Sequence, residues 1–136
     1  IRDRDASGNA TAASFVKSGG TSSQFLMADG SVNTTAYSSF SVNTTAKTAA
    51  YTLATGDYNT LVQMNGAYAF TVGTGLSGAP VGTQIHLLAL TTGVTVSASG
   101  TTVNGTPGLK LRAAYSSATL ICLGTNNWVL IGDLSA

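Results

Sequence analysis

The side chains suited to acid–base, nucleophilic or metal chemistry are few in this sequence: Asp3, Asp5, Asp29, Asp57 and Asp133, a single histidine at His86, a single cysteine at Cys122, and no glutamate. Glycan hydrolysis needs two carboxylates at a defined separation. Three of the five acids fall in the first thirty residues and one lies at the C-terminal end. Asp57 follows Gly56 in a turn-like setting, where aspartate commonly bonds to its own backbone. His86 has no His-x-His partner, so no metal site is expected. Cys122 shares a predicted strand face with Ala118 and Leu120 and reads as a buried free thiol, with no disulfide possible within one chain. A catalytic thiol needs an adjacent base, and one histidine serves the whole sequence. The expectation is a protein that is not an enzyme and carries no cofactor.

The elements that must position these residues are strands. Charged residues are 8% of the chain, against about 25% in an ordinary soluble domain. Long charged helix formers are scarce, whereas threonine and valine, which suit a pleated surface, are abundant. Net charge is +1, so composition points to neither nucleic acid nor an anionic membrane. No apolar run approaches the roughly 18 residues of a membrane-spanning helix, so no membrane insertion is expected.

Residues 1–39 differ from the rest. Arg2, Asp3, Arg4 and Asp5 concentrate charge at the start, small polar residues follow, and the apolar anchors are Phe15-Val16 and Phe25-Leu26-Met27. Such a segment cannot offset its ordering entropy alone, so it reads as strand-like chain that needs partner chains. Ser31-Val32-Asn33-Thr34-Thr35-Ala36 recurs as Ser41-Val42-Asn43-Thr44-Thr45-Ala46, a spacing too short for a solenoid repeat of 20–50 residues. From residue 40 onward, short apolar alternations are separated by turn signals at roughly 8–12-residue spacing, the pattern of a sandwich or barrel. Asn65-Gly66 between two apolar runs predicts a β-hairpin. Residues 83–90 predict a central strand, 73–82 a loop, and 118–123 with 128–131 a final hairpin. In 109–112, Leu109 and Leu111 should face inward and Lys110 and Arg112 outward.

The segment Gly19-Gly20-Thr21-Ser22-Ser23-Gln24-Phe25-Leu26-Met27-Ala28-Asp29-Gly30-Ser31-Val32 resembles one common in phage tail-fibre and related virion proteins. The blocks Pro80-Val81-Gly82-Thr83-Gln84-Ile85, Gly108-Leu109-Lys110-Leu111-Arg112, Tyr115 to Ile121 and Trp128 to Leu134 are similar to the closing module of such fibres. The resemblance implies a homotrimer with a shaft-like trimerising segment over 1–39 and a β-sandwich, jelly-roll-like head or tip over 40–136. It also implies that residues 132–136 form the true C-terminus of a longer parent. On a threefold axis three copies of His86 could share a metal, but no second ligand type accompanies it. The implied role is host-surface attachment in a virion, extracellular after assembly. The partners would be adjoining parts of the same fibre and a bacterial surface glycan or protein. The other reading is a structural or decoration fibre without a dedicated receptor.

Carbohydrate recognition uses aromatic faces ringed by amides and hydroxyls. The receptor-binding candidates are Tyr58 and Asn59, Tyr68, the hairpin-tip pair Asn126 and Asn127, and Trp128. Tyr58 and Tyr68 are read as the exposed aromatics. For Trp128 a core or subunit-interface role outweighs ligand contact, and its alternation with Val129 leaves the face open.

Overall fold

The computed structural model describes residues 19, 25–26, 31–33 and 40–136. The chain divides into two compact units, Ile1–Ser38 and Ser39–Ala136. In the first, β1 (Phe25–Leu26) pairs antiparallel with β2 (Val32–Asn33), Leu26 opposite Val32. The anchors Phe15 and Met27 and the acids Asp3, Asp5 and Asp29 lie outside the described residues.

The second unit is all-β, with only two 3-10 turns, Thr55–Asp57 and Thr74–Leu76, among the described residues. Its strands are β3 (Ser41–Val42), β4 (Tyr51–Thr52), β5 (Thr60–Met64), β6 (Ala69–Gly73), β7 (Gln84–Ala89), β8 (Thr95–Ser99), β9 (Thr102–Gly105), β10 (Lys110–Leu111), β11 (Ser117–Gly124), β12 (Asn127–Gly132) and β13 (Leu134–Ser135). They form a six-stranded sheet in the order β3-β5-β7-β11-β12-β9 and a five-stranded sheet in the order β13-β10-β8-β6-β4. Both sheets are mixed. The chain alternates between them, so that β3, β5 and β7 run parallel in one and β4, β6 and β8 run parallel in the other. Each passage through both sheets is one coil laid on the last. β10 and β13 then add antiparallel strands to the five-stranded sheet. The β11–β12 hairpin adds antiparallel strands to β7, and β9 closes the edge in parallel with β12.

This connectivity departs from the jelly-roll expectation. A jelly roll is made of antiparallel Greek keys, whereas β3 to β8 pair with one another only in parallel. Asn65-Gly66 is likewise a corner and not a hairpin. β5 enters it in one sheet and β6 leaves it in the other. The physical reason is burial. Val62 and Met64 on β5 and Phe70 and Val72 on β6 are all fully enclosed, and strands in opposite sheets can turn those faces toward each other. Gly66, at φ 147°, makes the corner, and a Cβ there would overlap the Tyr68 ring.

One core cluster joins both sheets, with Val62, Met64, Ile85, Leu87, Leu120, Trp128 and Leu130 from the first and Phe70, Val72, Val96, Leu111 and Leu134 from the second. Each large apolar side chain enclosed contributes about 1.5–3 kcal/mol. Polar ladders pin the coils in register. Ser41 and Thr60 share a hydroxyl hydrogen bond of 2.9 Å, and Thr71 and Ser97 share one of 3.1 Å. The two copies of the six-residue repeat are used differently, Val32-Asn33 in an antiparallel pair and Ser41-Val42 in a parallel one.

Candidate functional site

Among the described residues, those with catalytic potential are tied into local structure. Asp57 is 5% exposed and accepts the Ala54 N–H at 2.8 Å and the Tyr51 hydroxyl at 3.1 Å. Burial, and then the neighbouring carboxylate, push the Tyr51 hydroxyl above its ordinary pKa. Asp133 accepts two hydrogen bonds from the Arg112 guanidinium, at 2.7 and 2.9 Å, and one from the Ser116 hydroxyl at 2.7 Å. These bonds, the arginine's first, hold its carboxyl below the usual carboxylate range. His86 Nδ1 lies 2.9 Å from the Thr119 hydroxyl, and Phe40 meets the imidazole edge-on at 5.0 Å. Cys122 is buried, with its thiol against the carbonyls of Ala79 and Gly124. Among the described residues no three His, Cys, Asp or Glu side chains converge as a metal cluster.

The strands of the second unit run between two sides. On one side its turns are bonded in series: the Asn65 N–H to Lys47, Leu90 to Met64, Tyr115 to Ala89, Asp133 to Ser117, and Arg112 to Asp133. On the other side Asn59 bonds to Gln84, Gly82 to Cys122, and Thr102 to Asn126. Tyr58, Asn59, Asn126 and Asn127 therefore share one side, and Tyr68 lies on the opposite one.

Exposure separates these candidates further. Tyr68 and Asn127 are exposed, whereas Tyr58 is half-buried against the core, with an enclosed hydroxyl that has no partner. Burial, and then the Cys122 thiol, raise that hydroxyl's pKa. The expectation of an exposed Tyr58 is thus corrected. Tyr58 precedes β5, with Asn59 between them in the left-handed region at φ 55°, so strand alternation does not reach it and its enclosure comes from the neighbouring strands. Asn126 sits at φ 54° with its Oδ1 enclosed and unpartnered. Trp128 has no exposed surface and stands opposite Cys122, as the core reading requires. Sequence reasoning passed over Tyr115, the most exposed large hydrophobic side chain among the described residues at 77%. It stands at φ 63° in a turn that no glycine or asparagine marks.

The two outer sheet faces differ in chemistry. Across the six-stranded sheet one row reads Val42, Leu61, His86, Thr119, Ile131, each the registered neighbour of the next. A second reads Gln84, Ile121, Val129, Asn104. Leu88 and Leu123 extend the apolar surface, and Ile131 is 57% exposed. No Asp, Glu, Lys or Arg occurs in any strand of this sheet. At its β9–β12 edge, Asn104, Thr106, Val129 and Ile131 line a shallow recess of about 310 Å3. The outer face of the five-stranded sheet carries Thr52, Thr71 and Ser97 in one row and Ala69, Thr95, Lys110 and Ser135 in another.

No protein-family model, curated protein sequence or solved structure matches the chain.

Proposed function

We propose that this chain is the distal module of a phage tail fibre: a non-enzymatic virion structural protein that assembles as a homotrimer and attaches to a bacterial surface glycan or protein. The observation that carries the proposal is the contrast between the two outer faces. A sheet face bordered by water is normally polar, as the Thr/Ser face of the five-stranded sheet is. The opposite face holds Val42, Leu61, Leu88, Ile121, Val129 and Ile131 without one formal charge. Contiguous apolar surface of this kind, exposed at Val42 and Ile131 and half-buried between them, marks a protein–protein contact. An uncharged face is matched by another copy of itself, since no like charges meet when copies are brought together by rotational symmetry. The number three comes from the resemblance to fibre modules. The face itself requires only an uncharged partner.

The second reading is a structural or decoration fibre of the virion without a dedicated receptor. It is favoured by the Tyr58 hydroxyl, the Asn126 Oδ1 and the Trp128 Nε1, which are enclosed within the body and unavailable to a ligand. Two measurements test the proposal. Light scattering of the isolated fragment should give three times the chain mass, and a monodisperse monomer would end the trimer reading. Fluorescent fragment should adsorb to a bacterial host and compete with phage. Failure to bind or compete at saturation would leave the structural-fibre reading in its place.

A further inference from the structure

We infer that the side of the second unit bearing Tyr68 and Tyr115 is a contact site for a neutral saccharide, with Tyr115 as its aromatic platform. The inference rests on the attachment reading above and assigns its receptor site. Tyr68 and Tyr115 are the exposed tyrosines among the described residues, 43% and 77%, and both lie on the side where the turns of β5, β7 and β10 are bonded in series.

Neither ring is on a loose loop. Tyr115 occupies the left-handed region, which bulky residues avoid, and its backbone is fixed there. Its N–H donates to the Ala89 carbonyl at 2.7 Å. The next residue, Ser116, accepts the Ala113 N–H at 2.9 Å and donates to Asp133 at 2.7 Å. Asp133 in turn grips Arg112. The turn is over-determined around a residue whose own preference opposes it, and such strain clusters at active sites, ligand clamps and switch regions. Tyr68 is fixed by a different device, its ring laid over Gly66 where a Cβ would collide. Rigid tyrosines offer large amphipathic area at low entropic cost to binding.

The polar surroundings select the ligand class. The Arg112 guanidinium has five N–H donors and gives two to Asp133; its side chain is 63% exposed. The remaining donors belong to an exposed side chain three positions before Tyr115 in the chain, and Asp133 links that side chain to Ser116, the residue next to Tyr115. The carboxylate of Asp133 balances the arginine's charge, so the site does not favour an anionic polymer or a phosphate. An aromatic face beside fixed hydrogen-bonding groups of no net charge suits the hydroxyls and apolar ring face of a neutral hexopyranose.

The test uses the assembled fragment and methyl glycosides of glucose, galactose, mannose, N-acetylglucosamine and rhamnose at millimolar concentration, read by saturation-transfer NMR. At least one glycoside should bind and perturb the Tyr115 ring signals. Tyr115→Ala should weaken that binding about tenfold or more. Tyr115→Gly should weaken it equally while melting no lower than the parent, because glycine relaxes the left-handed turn. No binding by any of the five, or unchanged binding in both variants, overturns the inference. Cell adsorption that survives Tyr115→Ala would sink this site and leave the attachment reading standing.

Discussion

Asp133 shows how much of a turn a single carboxylate can hold. It ties the β10–β11 turn to the last strand through Arg112 and Ser116, and its folded-state pKa is depressed. The contribution to stability is therefore complete above the ordinary aspartate value near 3.9 and is lost as pH falls through the lower folded value. Asp133→Asn should lower the melting temperature by a few degrees at neutral pH, and the gap to the parent should narrow below about pH 4. A gap independent of pH would mean that packing, not charge, is what the carboxylate supplies. At this scale the sequence was informative where alternation applies. Leu111 faces in and Lys110 out, and Cys122 is buried with Ala118 and Leu120, as period-two reading requires. It was less informative at turns. Exposure at Tyr115 and enclosure at the Tyr58 hydroxyl depend on which strands lie alongside, and no local pattern encodes that.

At the scale of elements, the β11–β12 hairpin and the central β7 follow from their apolar runs, but the partner of each earlier strand does not. Alternation at Val62 and Met64 says that β5 has an inner face. It does not say whether β6 joins the same sheet or the opposing one. That choice is made by parallel pairing of β5 with β7, whose β7 residues lie more than twenty positions onward. Gly132 is a point where two elements depend on one residue. At φ 156° it passes so close to β11 that a Cβ would stand 2.5 Å from the Ala118 Cα and from the Ser117 carbonyl oxygen. Both are backbone atoms and cannot rotate away. Gly132→Ala should cost about 2–3 kcal/mol in chemical denaturation. A loss below roughly 0.5 kcal/mol would show that the strands separate more easily than their hydrogen bonds suggest.

For the molecule as a whole, the prediction concerns which face is covered. Leu123 and Ile131 are about half exposed in a single chain, so charging them leaves the core intact. Leu123→Lys with Ile131→Lys should dissociate the assembly to folded monomers in light scattering, because each copy would then press unpaired ammonium groups against an apolar partner. Thr71→Lys, on the polar face of the other sheet, should leave the mass unchanged. Assembly that survives the double lysine variant would place the contact elsewhere.

The parallel coils also have a mechanical consequence. Ser41 and Thr60, nineteen residues apart, mark one coil, and Thr71 and Ser97, twenty-six apart, mark the next. The first coil begins at β3, a two-residue strand at the sheet's edge, while the far end is held by antiparallel strands. Tension applied through the N-terminal end loads the coils one at a time instead of shearing the body at once. Single-molecule pulling should show successive yields of about 65 Å and about 90 Å, the extended lengths of those coils, before the hairpin end gives way. A module of this kind would lengthen under load in discrete steps and keep its hairpin end folded.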